Sequence, residues 1–386
     1  MGEDSPTVRL MLTSGLSVAL GGAALAVLLF VVFRLRDTKL NSSPRQPLPK
    51  WTGFGVLAAV GVFFLFTVGA RFIQTILIQS GFFTRIYGES FPLDLPENPS
   101  PAHKGAATVR FLWSSAIAFP FAILAMYLLR KAVRLPSSSR LSTWPQGFVA
   151  GYLTWLMITP AAFCVFVLAS LGHTALTGKD PETHPLTQIG DLSGPWKWLF
   201  VLQTVVIAAV IEEWLFRGVL LPWLAQRKPV LPDTPFTILP RHRPILILLG
   251  ALGVGVAFTF GSEYLIGPAQ VRTAFKEDPP AAFATYLIPS GFFLLLIPFD
   301  FLLPKLHRLR RFLRIRSSQD VRAIWASSAL FAAMHAHVWP SPIPLMVLAM
   351  GLGYLYLRTR SLVGPIVVHG MFNAVSSVYL ILGGRT

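Results

Sequence analysis

Apolar residues run along this chain in long blocks separated by short polar connections. The blocks lie near 10–33, 52–79, 109–129, 147–171, 196–225, 244–262, 282–303, 321–337, 341–358 and 361–382. Most reach the ~20 residues that a helix needs to cross a bilayer. The pattern predicts an all-α fold, a polytopic transmembrane helical bundle of about ten helices. The eighth and ninth blocks are the weakest: both are short, and His337-Val338-Trp339-Pro340-Ser341-Pro342 leaves little room for a loop outside the membrane. The first block follows Glu3 and Asp4 instead of a basic segment, so it is expected to be a retained helix and not a cleaved signal.

Charge in the connections supports this count, because lysine and arginine collect on the cytoplasmic side. Alternate connections are basic: Arg34, Arg36, Lys39, Arg45 and Lys50; Arg130, Lys131, Arg134 and Arg140; Arg227, Lys228, Arg241 and Arg243; Lys305 to Arg316; Arg358 and Arg360. Those between them carry Glu89, Asp94 and Glu97, then Asp180, Glu182 and Asp191, then Glu263, Glu277 and Asp278. With ten spans, both ends of the chain face away from the cytoplasm. The stretch 80–108 reads as an irregular loop and 304–318 as a surface hinge or interfacial helix end.

Composition agrees. Of 386 residues, 53% are hydrophobic and only 13% charged, too apolar for a soluble globular protein. The formal net charge of +16 sits in blocks between apolar spans with no nucleic-acid motif, so it reads as membrane orientation and nucleic acid is discounted as a partner. The protein is expected to be an integral, multi-pass membrane protein in the lipid bilayer, at the plasma membrane in a prokaryote. The single cysteine, Cys164, has no partner for an intrachain disulfide and reads as a small buried residue.

Against this background Glu212-Glu213-Trp214-Leu215-Phe216-Arg217 stands out, since two carboxylates and a guanidinium lie inside an apolar block. Charges at bilayer depth cost several kcal/mol unless paired or facing a hydrated cavity. Glu213 and Arg217 are four apart in the order that favours a helical ion pair, whereas Glu212 points about 100° away. One glutamate is accounted for and one is spare. Arg71 can snorkel to an interface, and Asp300 lies near the cytoplasmic end of its block; neither asks for a function.

Two further polar pairs occupy apolar blocks, Phe331-x-x-x-His335 and His369-x-x-x-Asn373. Spacing by four puts each pair on one helical face. At 1.5 Å per residue from the cytoplasmic ends, Glu212 lies roughly 20 Å deep, His335 roughly 22 Å and His369 to Asn373 roughly 12–18 Å, so the three can meet near the midplane. A glutamate, two histidines and an asparagine suit amide hydrolysis, in which a carboxylate takes a proton from water and an imidazole and an amide assist the oxyanion. They equally suit a zinc site in which Glu212, His335 and His369 are the ligands and water holds the fourth position. Each also has a plainer role. Transmembrane histidine and asparagine often bond neighbouring helices, Phe331 and Met334 are ordinary core or lipid-facing residues, His337 reads as interfacial, and Gly351 and Gly353 as close-packing positions.

Taken in order on separate helices, Glu212-Glu213-x-x-x-Arg217, Phe331-x-x-x-His335 and His369-x-x-x-Asn373 resemble the motifs of the CAAX protease and bacteriocin-processing (Abi) family of intramembrane endopeptidases, which includes the type II CAAX prenyl endopeptidase. The resemblance covers roughly 197–382. It implies an all-α membrane protease in which Glu212 and His335 activate water and His369 and Asn373 form the oxyanion site, with Arg217 holding Glu213 and Phe331 in support. It leaves the use of a metal, such as zinc, open. It implies as partner a membrane-associated protein or peptide substrate, prenylated CAAX proteins being one family use. The domains expected are 1–195, about four unassigned transmembrane helices with loops, and 196–386, the catalytic transmembrane domain. The long interval between Leu221 and Val321 exceeds what the motif order demands.

Two other classes compete. A noncatalytic membrane scaffold or immunity protein would keep the fold without needing Glu212. A secondary transporter also places charges at the midplane, and would show inverted repeats and broken helices that are not evident here.

Overall fold

The computed structural model describes residues 21, 24, 25, 27, 48–89, 91–94, 100–132, 144–178, 195–228, 238–266, 268–277, 279–315 and 317–383. Among these residues there are helices and turns and no strand. Six of the helices are long and apolar enough to span a membrane: Gly53–Gln79, His103–Ala132, Pro145–Thr177, Trp196–Ala225, Pro240–Phe260 and Thr285–Lys305. They coincide with the second to seventh apolar blocks. The first block, 10–33, lies outside the described residues except at Gly21, Ala24, Leu25 and Val27, and so do the loop residues Arg34, Arg36, Lys39, Arg45, Glu97, Arg134, Arg140, Asp180, Glu182, Asp191, Asp278 and Arg316.

In chain order the elements used below are α1 (Gly53–Gln79), α2 (Phe82–Tyr87), α3 (Pro101–Ala132), α4 (Trp144–Thr177), α5 (the span Trp196–Ala225), α6 (Arg243–Ile266), α7 (Pro268–Glu277), α8 (Ile288–Leu302), α9 (His307–Phe312), α10 (Ser318–Ala333), α11 (Pro342–Thr359) and α12 (Val363–Gly383). The stretch expected to be an irregular loop, 80–108, therefore contains α2 and the first turns of α3. There Phe83, Tyr87 and Phe91 stack, and Trp113 donates its indole N–H to Tyr87 Oη at 2.8 Å.

The last three blocks differ from simple spans. α10 has 16 residues, about 24 Å of helix, less than the ~30 Å hydrocarbon layer. It stops at Ala333 and returns through the buried tip Val338, Trp339, Pro340 and Ser341 into α11. Pro340 and Pro342 have no N–H to extend a helix backward, which turns the chain here. Sidedness is unaffected, because a hairpin and a pair of spans both return to the side they entered. α12 contributes the shorter apolar helix Val363–Val378.

Small residues let the helices approach. A Cβ on Gly151 of α4 would lie 2.8 Å from Gly364 O at the start of α12, and one on Gly351 of α11 would lie 2.8 Å from Ile158 Cγ1. Gly351 is thus a close-packing position, while Gly353 has room for a methyl group at ordinary contact distance. α4 packs on both α11 and α12, so helix packing crosses the boundary at residue 195. Large apolar side chains such as Phe54, Phe64, Phe72, Phe121 and Leu128 point outward from α1 and α3, as expected of a surface solvated by lipid. The interval between the first two motifs is occupied chiefly by α6 and α8, which pack on each other and on α10.

Candidate active site

α5 carries the first motif and is not a uniform helix. Two π-helical stretches, Leu202–Ala208 and Trp214–Leu220, flank the α-helical Ala209–Glu213. Single-turn π segments inside α-helices concentrate at functional sites. Pro222, just beyond the second, has no N–H to return to the carbonyl four residues earlier, Gly218 O.

The expected ion pair is present, with Arg217 Nη1 donating to Glu213 Oε1 at 2.7 Å and both side chains sealed from solvent. Arg217 Nη2 also donates to Ala349 O of α11 at 3.1 Å, and its guanidinium lies 4.9 Å from the centre of the Phe331 ring. α5, α10 and α11 are therefore joined at one buried cation.

Glu213 does more than neutralise Arg217. The same Oε1 accepts from His369 Nδ1 of α12 at 2.9 Å. A carboxylate already paired with arginine can only accept, so Nδ1 carries a ring proton, and in the neutral form of the imidazole Nε2 presents a lone pair. That Nε2 lies 4.0 Å from Glu212 Oε2, a separation that one water can bridge. The two glutamates thus divide their tasks by exposure: Glu213 is at 0% and Glu212 at 22%. Glu213 Oε2 and Arg217 Nε have no hydrogen-bond partner, leaving spare polar capacity inside the site.

His335 falls just past the end of α10, in the turn after Ala333, and not on the helix as its spacing from Phe331 suggests. It keeps the helical relationship by a side-chain route, since its Nδ1 lies 2.9 Å from Phe331 O. A carbonyl accepts, so here too the proton sits on Nδ1 and Nε2 is the free lone pair. Phe331 stands between the histidines, its ring centre 5.0 Å from that of His335 and 5.8 Å from that of His369. Phe216 meets the same ring edge-on at 5.1 Å. No hydrogen bond or ion pair joins Glu212 to His335 among the described residues; Glu212 is near His369 instead.

Asn373 lies one turn beyond His369 on α12 and donates Nδ2–H to Thr204 O of the first π stretch at 2.8 Å. The second N–H on that nitrogen is left for another acceptor. This contact depends on close approach, because a Cβ on Gly370 would lie 2.8 Å from Val205 O. Thr204 and Gly370 were not legible as site residues from spacing, although a glycine next to a transmembrane histidine signals close helix contact. His337 is exposed. Cys164 is buried and free. Asp300 is buried and bonded by Arg322 Nε at 2.9 Å, well removed along α10 from the site.

Glu212, His335 and His369 are the set expected to hold a metal. No group of three or more His, Cys, Asp or Glu among the described residues is arranged to hold a metal ion. The ring nitrogens left to such an ion would be Nε2 of His369 and of His335, since Nδ1 of each is hydrogen-bonded, to Glu213 and to Phe331 O. As placed, these residues do not form a three-ligand group.

Residues 194–375 match the family model described as "Type II CAAX prenyl endopeptidase Rce1-like". The matched stretch contains all three motifs. No curated protein and no solved structure matches the chain.

Proposed function

With residues 194–375 matching the type II CAAX prenyl endopeptidase Rce1-like family model, we propose that this multi-pass membrane protein is an intramembrane endopeptidase whose general base is Glu212. The observation that carries the reading is the inequality between adjacent acids. Glu213 is sealed and spent on Arg217 and His369, while Glu212 is partly accessible and faces His369 Nε2 across 4.0 Å.

In this scheme a water between Glu212 Oε2 and His369 Nε2 gives a proton to Glu212 as its oxygen attacks the scissile carbonyl carbon. His335, protonated at Nδ1, offers Nε2 as a second acceptor for that water. The oxyanion accepts from the free N–H of Asn373, while His369 Nε2, a lone pair in this tautomer, orients the water. When the C–N bond breaks, Glu212 returns its proton to the leaving amine, so one water is consumed and an acid and an amine are released. The substrate is a membrane-associated protein or peptide, and a prenylated C-terminal CAAX segment is the specific class proposed.

The test compares protein termini in membranes carrying wild type or Glu212→Gln at matched expression, read by mass spectrometry, with prenylated and unprenylated CAAX peptides offered in parallel. New termini with wild type alone, and cleavage only of the prenylated peptide, are expected. Identical termini together with an unimpaired mutant phenotype would replace catalysis with the scaffold reading.

A further inference from the structure

Segment 48–52 lies far outside the matched residues, yet it grips the helix that carries both glutamates. Trp51, 2% exposed, donates its indole N–H to Gly218 O of α5 at 2.8 Å. The bond answers a specific deficit. Gly218 O would ordinarily receive the N–H four residues later, but that residue is Pro222. A donor from another helix's N-terminus takes its place. The placement is reinforced on both sides: Gln226 Nε2 donates to Trp51 O at 3.1 Å, and Thr52 caps α1 by accepting from Gly55 N. Gly55 itself leaves room for the indole, since a Cβ there would lie 3.0 Å from Trp51 Cε3.

We infer that Trp51 is a positioning residue for the active site, holding the π-helical turn Trp214–Leu220 in the register that aims Glu212 and Glu213. Arg217 and Gly218 are neighbours in that turn, so a shift of the Gly218 carbonyl moves the guanidinium that anchors Glu213. Through Glu213 the shift reaches His369. The inference rests on the peptidase reading for its kinetic consequence but not for its structural one. Being buried, Trp51 touches no substrate, and its effect belongs in kcat and not in KM.

The experiment uses the full-length protein in lipid nanodiscs, with Trp51→Phe, Pro222→Ala and the double variant. Trp51→Phe keeps most of the ring and removes the N–H. It is expected to lower kcat about tenfold, the scale of a small misplacement of reacting groups, to leave KM at the wild-type value, and to speed amide exchange across 214–221. Pro222→Ala returns the missing backbone N–H to Gly218 O, so the double variant is expected to recover both kcat and slow exchange. A simple packing defect at Trp51 would not be relieved by a change at position 222. Wild-type kcat and exchange in Trp51→Phe, or no recovery in the double variant, overturns the inference. Should Trp51→Phe not accumulate, a folded and active double variant supports it, and failure of both overturns it. If the wild type itself cleaves nothing, the peptidase reading fails, while the exchange comparison still decides the role of Trp51.

Discussion

His369 Nδ1 lies 2.9 Å from Glu213 Oε1, although the two residues are 156 apart in the chain. This contact makes Glu213 the orienting partner of a histidine as well as the counter-ion of Arg217. It also turns the other ring nitrogen toward Glu212. Adjacent glutamates in one helix thereby acquire different roles, and their variants should differ in kind.

Glu212→Gln is expected to fold normally and to lose catalysis by about 10²–10⁴-fold, the contribution of a positioned general base. Its nearest ionic partner is 4.0 Å away, so little stability is at stake. Single-turnover cleavage by purified protein, beside a thermal unfolding curve, checks both halves.

Glu213→Gln removes the counter-charge from a sealed guanidinium. Breaking a buried pair from one side costs about 3–5 kcal/mol, so a lowered unfolding temperature is expected along with lost activity. Retention of wild-type stability would show that Arg217 is held adequately by Ala349 O and the Phe331 ring alone.

Gly370→Ala pushes a methyl group into Val205 O and should move α12 away from α5, breaking the bond from Asn373 to Thr204 O. Asn373→Ala removes that donor without the clash. Loss of an oxyanion donor costs about 10²–10³ in kcat. Both variants should lose activity, but Gly370→Ala, which adds a clash to the lost bond, should lose more stability than Asn373→Ala, as measured by unfolding in detergent.

Asp300→Asn tests the buried pair far from the reaction. Arg322 precedes Phe331 by nine residues on α10, about 13 Å along the axis. The variant is expected to unfold at lower temperature while its folded fraction keeps wild-type kcat. A fall in kcat for folded protein would show that this end of α10 also positions Phe331.

Chelation addresses the metal. Since the described residues form no three-ligand group, treatment with a chelator is expected to leave cleavage unchanged, and elemental analysis to find no stoichiometric zinc. Stoichiometric zinc together with chelator-sensitive cleavage would restore Glu212, His335 and His369 as its ligands.

Local periodicity was enough to establish what depends on one helix at a time. The apolar blocks of α1, α3 to α6 and α8, and the Glu213–Arg217 pair, follow from hydrophobicity and from the rise and turn of an α-helix. The order of the three motifs likewise marked Glu212, His335, His369 and Asn373 before any coordinates. Tertiary structure decided what depends on where helices stop and touch. α10 ends two residues before His335, which therefore sits in a turn, and spacing from Phe331 cannot report that. Which glutamate is sealed depends on His369 of α12 and Arg217 meeting at Glu213, a fact of packing between distant segments. The grip of Trp51 on Gly218 is of the same kind: the missing N–H of Pro222 is written in the sequence, but the residue that replaces it is chosen by the fold.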